Sequence, residues 1–296
     1  MTSVYISVGF STAIWLYLIY RNDRFEPEPV RCLLFVGIAG GLMSALPASF
    51  LNTLVAMGLG ISRDVLTGES SASLLSFAFF SLFVGFNEEF FKASVSIIIL
   101  KRLKQFNEPV DGLIYSMTIA LGFAAFENIE YTVAGGIGVL IVRSFTAVPL
   151  HIGLASIWGS GIARAKFHRG GGYIKNVFPY VVPAALLHAV YNFYQFMNPG
   201  DPSSLMFAVV FSFFIIIYAS GRLRIFLRES PFRKPGVCPV CGTDNGFWAR
   251  YCKNCGSYLV SDYFYKCRSC GTRNRAGAKF CRNCGEECKI CNGEME

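Results

Sequence analysis

The sequence predicts an all-α polytopic membrane protein of about seven transmembrane helices, followed by small β-rich zinc ribbons in the cytoplasm. Three observations predict it. Of 296 residues, 53% are hydrophobic and only 16% charged, against about 25% charged in a soluble domain. Nearly all the long apolar runs lie before residue 228, and ten of the eleven cysteines lie after residue 237. One part in lipid and one in water follow, with expected boundaries at 1–228 for a membrane domain, 229–236 for a linker, 237–258 for a first ribbon and 265–296 for a second ribbon carrying an extra cysteine pair.

A helix that crosses about 30 Å of hydrocarbon needs roughly 20 apolar residues. Runs of that kind cover 4–20, 32–58, 73–100, 111–133, 137–163, 177–197 and 205–227. The first has no basic residues before it and no small-residue cleavage site after it, so it reads as a retained helix rather than a cleavable signal. Orientation follows from Lys and Arg in the short connections. Arg21, Arg24 and Arg31 follow the first helix, Lys101, Arg102 and Lys104 the third, Arg164, Lys166, Arg169 and Lys175 the fifth, and Arg222, Arg224, Arg228, Arg233 and Lys234 the seventh; the alternate connections carry only Arg63. This parity predicts an outside N-terminus, a cytoplasmic tail and an odd number of helices.

The tail is a cysteine lattice. Cys238-x2-Cys241 and Cys252-x2-Cys255 recur 29 residues later as Cys267-x2-Cys270 and Cys281-x2-Cys284. Paired knuckles at this spacing supply four thiolates to one tetrahedral Zn2+, so two structural zinc ions are expected. A disulfide scaffold is the competing reading, and a cytoplasmic location argues against it. The formal charge of +8 divides as +1 through residue 221 and +7 beyond. Each four-thiolate zinc site carries two net negative charges, which lowers +8 to +4 and argues against nucleic acid as the tail's partner. Phe247, Trp248, Tyr263, Phe264 and Tyr265 read as covers for the zinc sites rather than base-stacking groups, and Cys288-x2-Cys291 is a half-site without an assigned role.

Ionisable groups inside a bilayer are costly and mark partners or cavities. Those that interrupt the apolar runs are Glu88, Glu89, Lys92, Glu127, Glu130, Arg143, His151 and His188, with Asn128 and Asn192 beside them. Glu88 and Lys92 are four apart, in the favourable order for an ion pair, while Glu89 points about 100° away. The expectation is that Lys92 holds Glu88 charged and leaves Glu89 free to exchange a proton. His188 and Asn192 share a face at the same spacing, as do Phe123 and Glu127. Glu130 lies near a helix end and reads as interfacial, and Arg143 and Lys92 also fit a purely neutralising role. Two carboxylates, a histidine and an amide are the parts needed to add water to an amide carbonyl: a base, an activating carboxylate or metal, and donors for the oxyanion. The same residues could hold a divalent metal or carry protons through a transporter.

At these positions the sequence resembles the PrsW family of polytopic intramembrane proteases, distant relatives of the CAAX prenyl protease type. The resemblance runs through most of residues 14–197. It rests on D-R-F-E-P-E-P at 23–29, E-E-F-F-K at 88–92, D-G-L-I-Y at 111–115, G-F-A-A-F-E-N-I-E-Y at 122–131, P-L-H-I-G-L around His151 and H-A-V-Y-N at 188–192. It implies proteolysis of a membrane-anchored protein in or near the bilayer, as in release of an anti-sigma factor. It implies that Glu88, Glu89 and His188 are required, that Glu127 and Asn192 complete the site, and that His151 belongs to it; Lys92 comes with the EExxK motif. Two mechanisms stay open. In one, His188 and some of the glutamates hold a catalytic divalent metal and another glutamate is the base; in the other, Glu88 or Glu89 is the base and His188 with Asn192 forms the oxyanion hole. The ribbons are an addition to the protease core and read as a module for a cytoplasmic partner. Two readings compete with the peptidase: a non-enzymatic membrane sensor, and a proton-coupled transporter, which the absence of evident inverted repeats disfavours.

Overall fold

A computed structural model gives the fold. It describes residues 2–61, 73–167 and 172–232, and in the tail 236–238, 240–245, 249, 251–259, 264–266, 269–270, 272–275 and 283–286. Arg63, His168, Phe247, Trp248, Tyr263, Cys267, Cys281, Cys288 and Cys291 lie outside the described residues. The chain forms two compact units, Met1–Phe232 and Arg233–Glu296.

Among the described residues the first unit has seven helices: α1 (Thr2–Tyr20), α2 (Val30–Gly58), α3 (Leu74–Leu100), α4 (Asp111–Phe145), α5 (Ala147–Phe167), α6 (Tyr173–Met197) and α7 (Pro202–Arg228). Ser73 caps α3 by accepting from the Ser76 amide, and Asp201 caps α7 through the Ser203 amide with Pro202 in the first turn. Among the described residues six helical stretches are long and apolar enough to cross a membrane, and the longest is all of Asp111–Phe167, 57 residues. A straight helix of that length would extend about 85 Å, nearly three times the hydrocarbon core.

It is not straight. Gly136 has φ 81° and ψ −178°, a backbone conformation that a residue with a Cβ resists, and the chain reverses there. Beyond the glycine, Arg143 returns to within 2.9 Å of Glu127 and 2.7 Å of Asn128, although about 24 Å would separate residues 16 apart in a straight helix. A second break falls at Thr146. Pro149 has no N–H to offer the Phe145 carbonyl, and its ring would crowd that carbonyl; the ladder resumes with the Leu150 amide donating to Thr146 O at 3.1 Å. The expected helix 137–163 is therefore two segments, 137–145 and α5, and the stretch Asp111–Phe167 folds back on itself at Gly136.

α5 is the hub, with 18 of its 21 residues buried among α4, α6 and α7. By contrast α1 buries only Val8 and Ile19. Large apolar side chains face outward, among them Phe10, Phe35, Phe50, Phe213 and Phe214. An apolar exterior of this extent does not suit water and does suit hydrocarbon. The protein is a multi-pass membrane protein. One close approach places the polar centre: a Cβ on Gly85 would come within 2.5 Å of Ala185 O and 2.8 Å of Ala189 N. Without a side chain there, α3 and α6 touch backbone to backbone, one turn from Glu88 and Glu89 on one helix and around His188 on the other.

In the second unit Cys238, Cys241, Cys252 and Cys255 bring their sulfurs within 4.8 Å of one another, at 3.6 Å for Cys238 to Cys255 and 3.4 Å for Cys241 to Cys252. Tetrahedral thiolates about 2.3 Å from zinc stand about 3.8 Å apart. The two knuckles repeat one another. The amides of Val240 and Asn254 point at the sulfurs of Cys238 and Cys252, and the isolated bridges Val237 to Asp244 and Tyr251 to Tyr258 close each turn. The described cysteines are all free thiols rather than disulfides. Of the second ribbon, β1 (Phe264–Lys266) and β2 (Arg273–Arg275) pair antiparallel on either side of a described Cys270.

Candidate active site

Four helices converge on one buried polar cluster. From α3 come Glu88, Glu89 and Lys92, from α4 Glu127, from α5 His151 and from α6 His188, and all but Glu127 are at most 3% exposed. Glu89 is saturated. Its Oε1 accepts from Lys92 Nζ at 2.7 Å and faces His188 Nδ1 at 2.9 Å, and its Oε2 accepts from the Trp158 indole at 2.8 Å. Glu88 is not. Its Oε1 accepts from the Asn52 amide at 3.1 Å, and its Oε2 is buried with no hydrogen bond, 3.5 Å from Lys92 Nζ and 3.7 Å from His188 Nε2.

This reverses the expected division of labour between the glutamates. The i,i+4 pair of Lys92 with Glu88 exists, but the shorter bond goes to Glu89, one position away. The ammonium lies 4.3 Å above the Phe123 ring and 2.9 Å from His151 Nδ1, which draws it toward α4 and α5, the side that Glu89 faces. The carboxylate left with a free oxygen is Glu88.

The hydrogen-bond network assigns the tautomers. An ammonium only donates, so His151 Nδ1 accepts from Lys92 and its Nε2–H donates to Glu127 Oε2 at 2.9 Å. At His188 the partner of Nδ1 is a carboxylate, so Nδ1–H donates and the Nε2 lone pair faces Glu88 Oε2. Arg143 completes the set by donating to the same Glu127 oxygen at 2.9 Å and to Asn128 Oδ1 at 2.7 Å, with its guanidinium 3.9 Å from the centre of the Tyr131 ring. Three carboxylates face two permanent cations, leaving one excess negative charge beside the free oxygen of Glu88.

The residues fit a metal in part. Glu88, His151 and His188 each offer one donor atom, all within 4.8 Å of one another, and a two-histidine, one-glutamate set is a known catalytic zinc arrangement. Glu89 supports His188 as an outer carboxylate supports a zinc-bound histidine. His151 has both nitrogens engaged and joins such a set only by exchanging one of those contacts.

Of the expected site residues, Glu88, Glu89, Lys92, Glu127, His151 and His188 meet. Asn192 is half-buried and makes no hydrogen bond to the cluster among the described residues; Glu130 is exposed. Three contributors escape a search for ionisable residues: Trp158, fully buried against Glu89, and the amides Asn52 and Asn87, which bond to each other at 2.8 Å behind Glu88. The signal was present, since an amide in an apolar span needs a partner as a charge does.

The fold and the site define a polytopic membrane protein with a hydrolase-like polar centre between its helices. Residues 28–219 match the family described as PrsW family intramembrane metalloprotease, and residues 238–285 match the double zinc ribbon. Protease PrsW of Oceanobacillus iheyensis is 28% identical over 220 residues, covering 74% of this chain and 94% of the relative. Protease PrsW of Bacillus subtilis is 29% identical over 192 residues, 64% of this chain and 81% of the relative, and that of Geobacillus kaustophilus is 30% identical over 163 residues, 55% and 67%. No solved structure matches the chain. The chain belongs to the PrsW family of intramembrane metalloproteases and is a membrane-embedded peptidase. The family displaces the non-enzymatic sensor as the reading of the membrane unit.

Proposed function

We propose that the peptide bond of a membrane-anchored protein is hydrolysed at the gap between Glu88 Oε2 and His188 Nε2. The observation that carries this reading is the pairing of a buried carboxylate oxygen that has no hydrogen bond with an imidazole lone pair 3.7 Å away. A water in that gap meets two acceptors. Glu88 Oε2 takes its proton as the oxygen attacks the scissile carbonyl, and returns it to the departing amine. Glu89 keeps His188 in one tautomer and one orientation. Lys92 keeps Glu89 charged, and its ammonium offsets charge that develops next to it. Asn192, one turn beyond His188 and without a partner in the cluster, is the amide free to donate to the carbonyl oxygen.

Glu88, His188 and, after exchange of one contact, His151 would hold a catalytic divalent metal. Such an ion supplies polarisation of the carbonyl and a water that ionises near neutral pH. Glu127, oriented by Arg143 and His151, is then the remaining carboxylate able to take a proton. Cys238, Cys241, Cys252 and Cys255 would hold one further zinc ion, and Cys267, Cys270, Cys281 and Cys284, by the same spacing, a second. Four thiolates close the coordination shell, so these are structural. The tail is cytoplasmic and the N-terminus outside, by the excess of Lys and Arg in alternate connections. The ribbons recruit or sense a cytoplasmic partner, separately from the chemistry.

The test is a comparison of protein N-termini in membranes of cells expressing wild type or Glu88→Gln at equal levels. Termini near membrane spans that appear only with wild type are expected. The same termini in both, with both proteins folded, would overturn the assignment of Glu88.

A further inference from the structure

Two sequence motifs take no part in the catalytic cluster: D-R-F-E-P-E-P at 23–29, between α1 and α2, and D-G-L-I-Y at 111–115, which opens α4. They meet. Asp23, Glu28 and Asp111 each offer one carboxylate oxygen, and these oxygens lie within 4.8 Å of one another, although the three side chains are only 3%, 1% and 0% exposed. In each carboxylate one oxygen is fixed by the protein and the other is not. Asp23 Oδ2 accepts from the Glu28 amide at 2.9 Å, Glu28 Oε2 from the Tyr115 hydroxyl at 2.5 Å, and Asp111 Oδ2 from the amides of Asn107 and Glu108 at 2.8 and 2.7 Å. Their second oxygens, Asp23 Oδ1, Glu28 Oε1 and Asp111 Oδ1, are all buried without a hydrogen bond.

No ion pair reaches any of the three among the described residues. Lys166, whose charge is felt by Asp111, donates to the carbonyl of Phe106 rather than to a carboxylate of the cluster. Buried carboxylates without a counter-charge are costly. Three buried carboxylates, each held by the protein through one oxygen and each bringing one oxygen within 4.8 Å of the others, are what a hard cation with all-oxygen coordination requires. Ca2+ holds such oxygens at about 2.3–2.6 Å and Mg2+ at about 2.0–2.1 Å. The fixed oxygens supply the outer support that holds metal ligands in place.

We propose that Asp23, Glu28 and Asp111 form a binding site for a hard divalent cation, Ca2+ or Mg2+, that ties the α1–α2 connection to the start of α4. The site is separate from the catalytic cluster and from the thiolate sites of the tail. Its ligands are oxygen only, which selects against the zinc of the ribbons. The competing way to neutralise the cluster is protonation, and binding separates the two.

The experiment uses the purified full-length, zinc-loaded protein in detergent and titrates it with Tb3+, read as luminescence sensitised by Tyr115, followed by displacement with Ca2+ or Mg2+. Saturable luminescence displaced by one of them is expected, with affinity lowered about tenfold or more by Asp23→Asn and by Asp111→Asn and unchanged by Glu88→Gln. The displacing ion identifies the natural cation. As a second measurement, Ca2+ or Mg2+ raises the melting temperature of wild type and of Glu88→Gln and leaves that of Asp23→Asn unmoved. Absence of saturable binding, equal affinity in the Asp variants, or loss of binding in Glu88→Gln would overturn the proposal.

Discussion

Glu88 and Glu89 are adjacent and chemically identical, yet neutralising each has opposite expected consequences. Glu89 accepts three hydrogen bonds, from Lys92, His188 and Trp158, all from donors. A glutamine offers one acceptor oxygen and an NH2 group that must confront a donor on one side or the other. Glu89→Gln also leaves the fully buried Lys92 with only the longer 3.5 Å contact to Glu88. Removing one partner of a buried pair costs about 3–5 kcal/mol. The retained Glu88 contact and the smaller energies of polar pairs within membranes reduce this to about 2–3 kcal/mol. Product formation falls about 10- to 100-fold, because His188 loses the carboxylate that orients it. In Glu88→Gln the amide oxygen keeps the bond from Asn52, and the NH2 replaces an oxygen that has no hydrogen bond and can donate to the lone pair of His188. The 3.5 Å contact to Lys92 is lost, but Lys92 keeps its 2.7 Å bond to Glu89, so stability changes by no more than about 1 kcal/mol, while the rate falls about 100- to 10,000-fold with loss of the proton acceptor. Thermal unfolding in detergent, followed by tryptophan fluorescence, gives the stability arm, and the rate of new N-terminus formation in membranes gives the other. A stable Glu89→Gln together with an unfolded Glu88→Gln would refute the assignment of the free oxygen to Glu88.

Three other perturbations follow from the same geometry. Gly85→Leu inserts a side chain where backbone atoms of Ala185 and Ala189 already stand; it should separate α3 from α6 and lower product formation about 100-fold, as a shift of about 1 Å can, with the helical circular dichroism signal retained. Arg143→Met removes the guanidinium from Glu127 and Asn128 and should lower the rate about tenfold, measured in the same membranes. Cys238→Ser should reduce the zinc content of the purified chain by about one equivalent and abolish amide-exchange protection around residues 252–258, with no change in the thermal unfolding of the membrane helices.

Much of the fold follows from composition and run length. Apolar stretches of about the right length mark α1, α2, α3, α6 and α7 to within about four residues, and the expected gap at 134–136 contains the kink at Gly136, but the boundary between α4 and α5 falls at Thr146, ten residues later than expected. The break at Thr146 was less visible, because its cause, Pro149, lies three residues later inside a continuous apolar run. The members of the site were legible as violations of hydropathy. Their pairing was not. Helical spacing puts Lys92 one turn from Glu88, but the ammonium follows His151, Phe123 and Glu89, groups on other helices or one position away, and no one-dimensional spacing encodes that choice. The convergence of Asp23, Glu28 and Asp111 was hidden for the same reason: residues 83 or more apart meet only because α1, α2 and α4 pack at one end of the bundle.

The central claim is that the buried Glu88 and His188 pair hydrolyses peptide bonds in membrane-anchored proteins. The most direct measurement reconstitutes the purified chain into lipid vesicles with membrane proteins from cells that do not express it, and identifies new N-termini by mass spectrometry. Termini within or beside membrane spans are expected with wild type, and none with Glu88→Gln or with His188→Ala when each variant unfolds at a temperature close to that of wild type. Equal sets of termini from wild type and the two folded variants would contradict it.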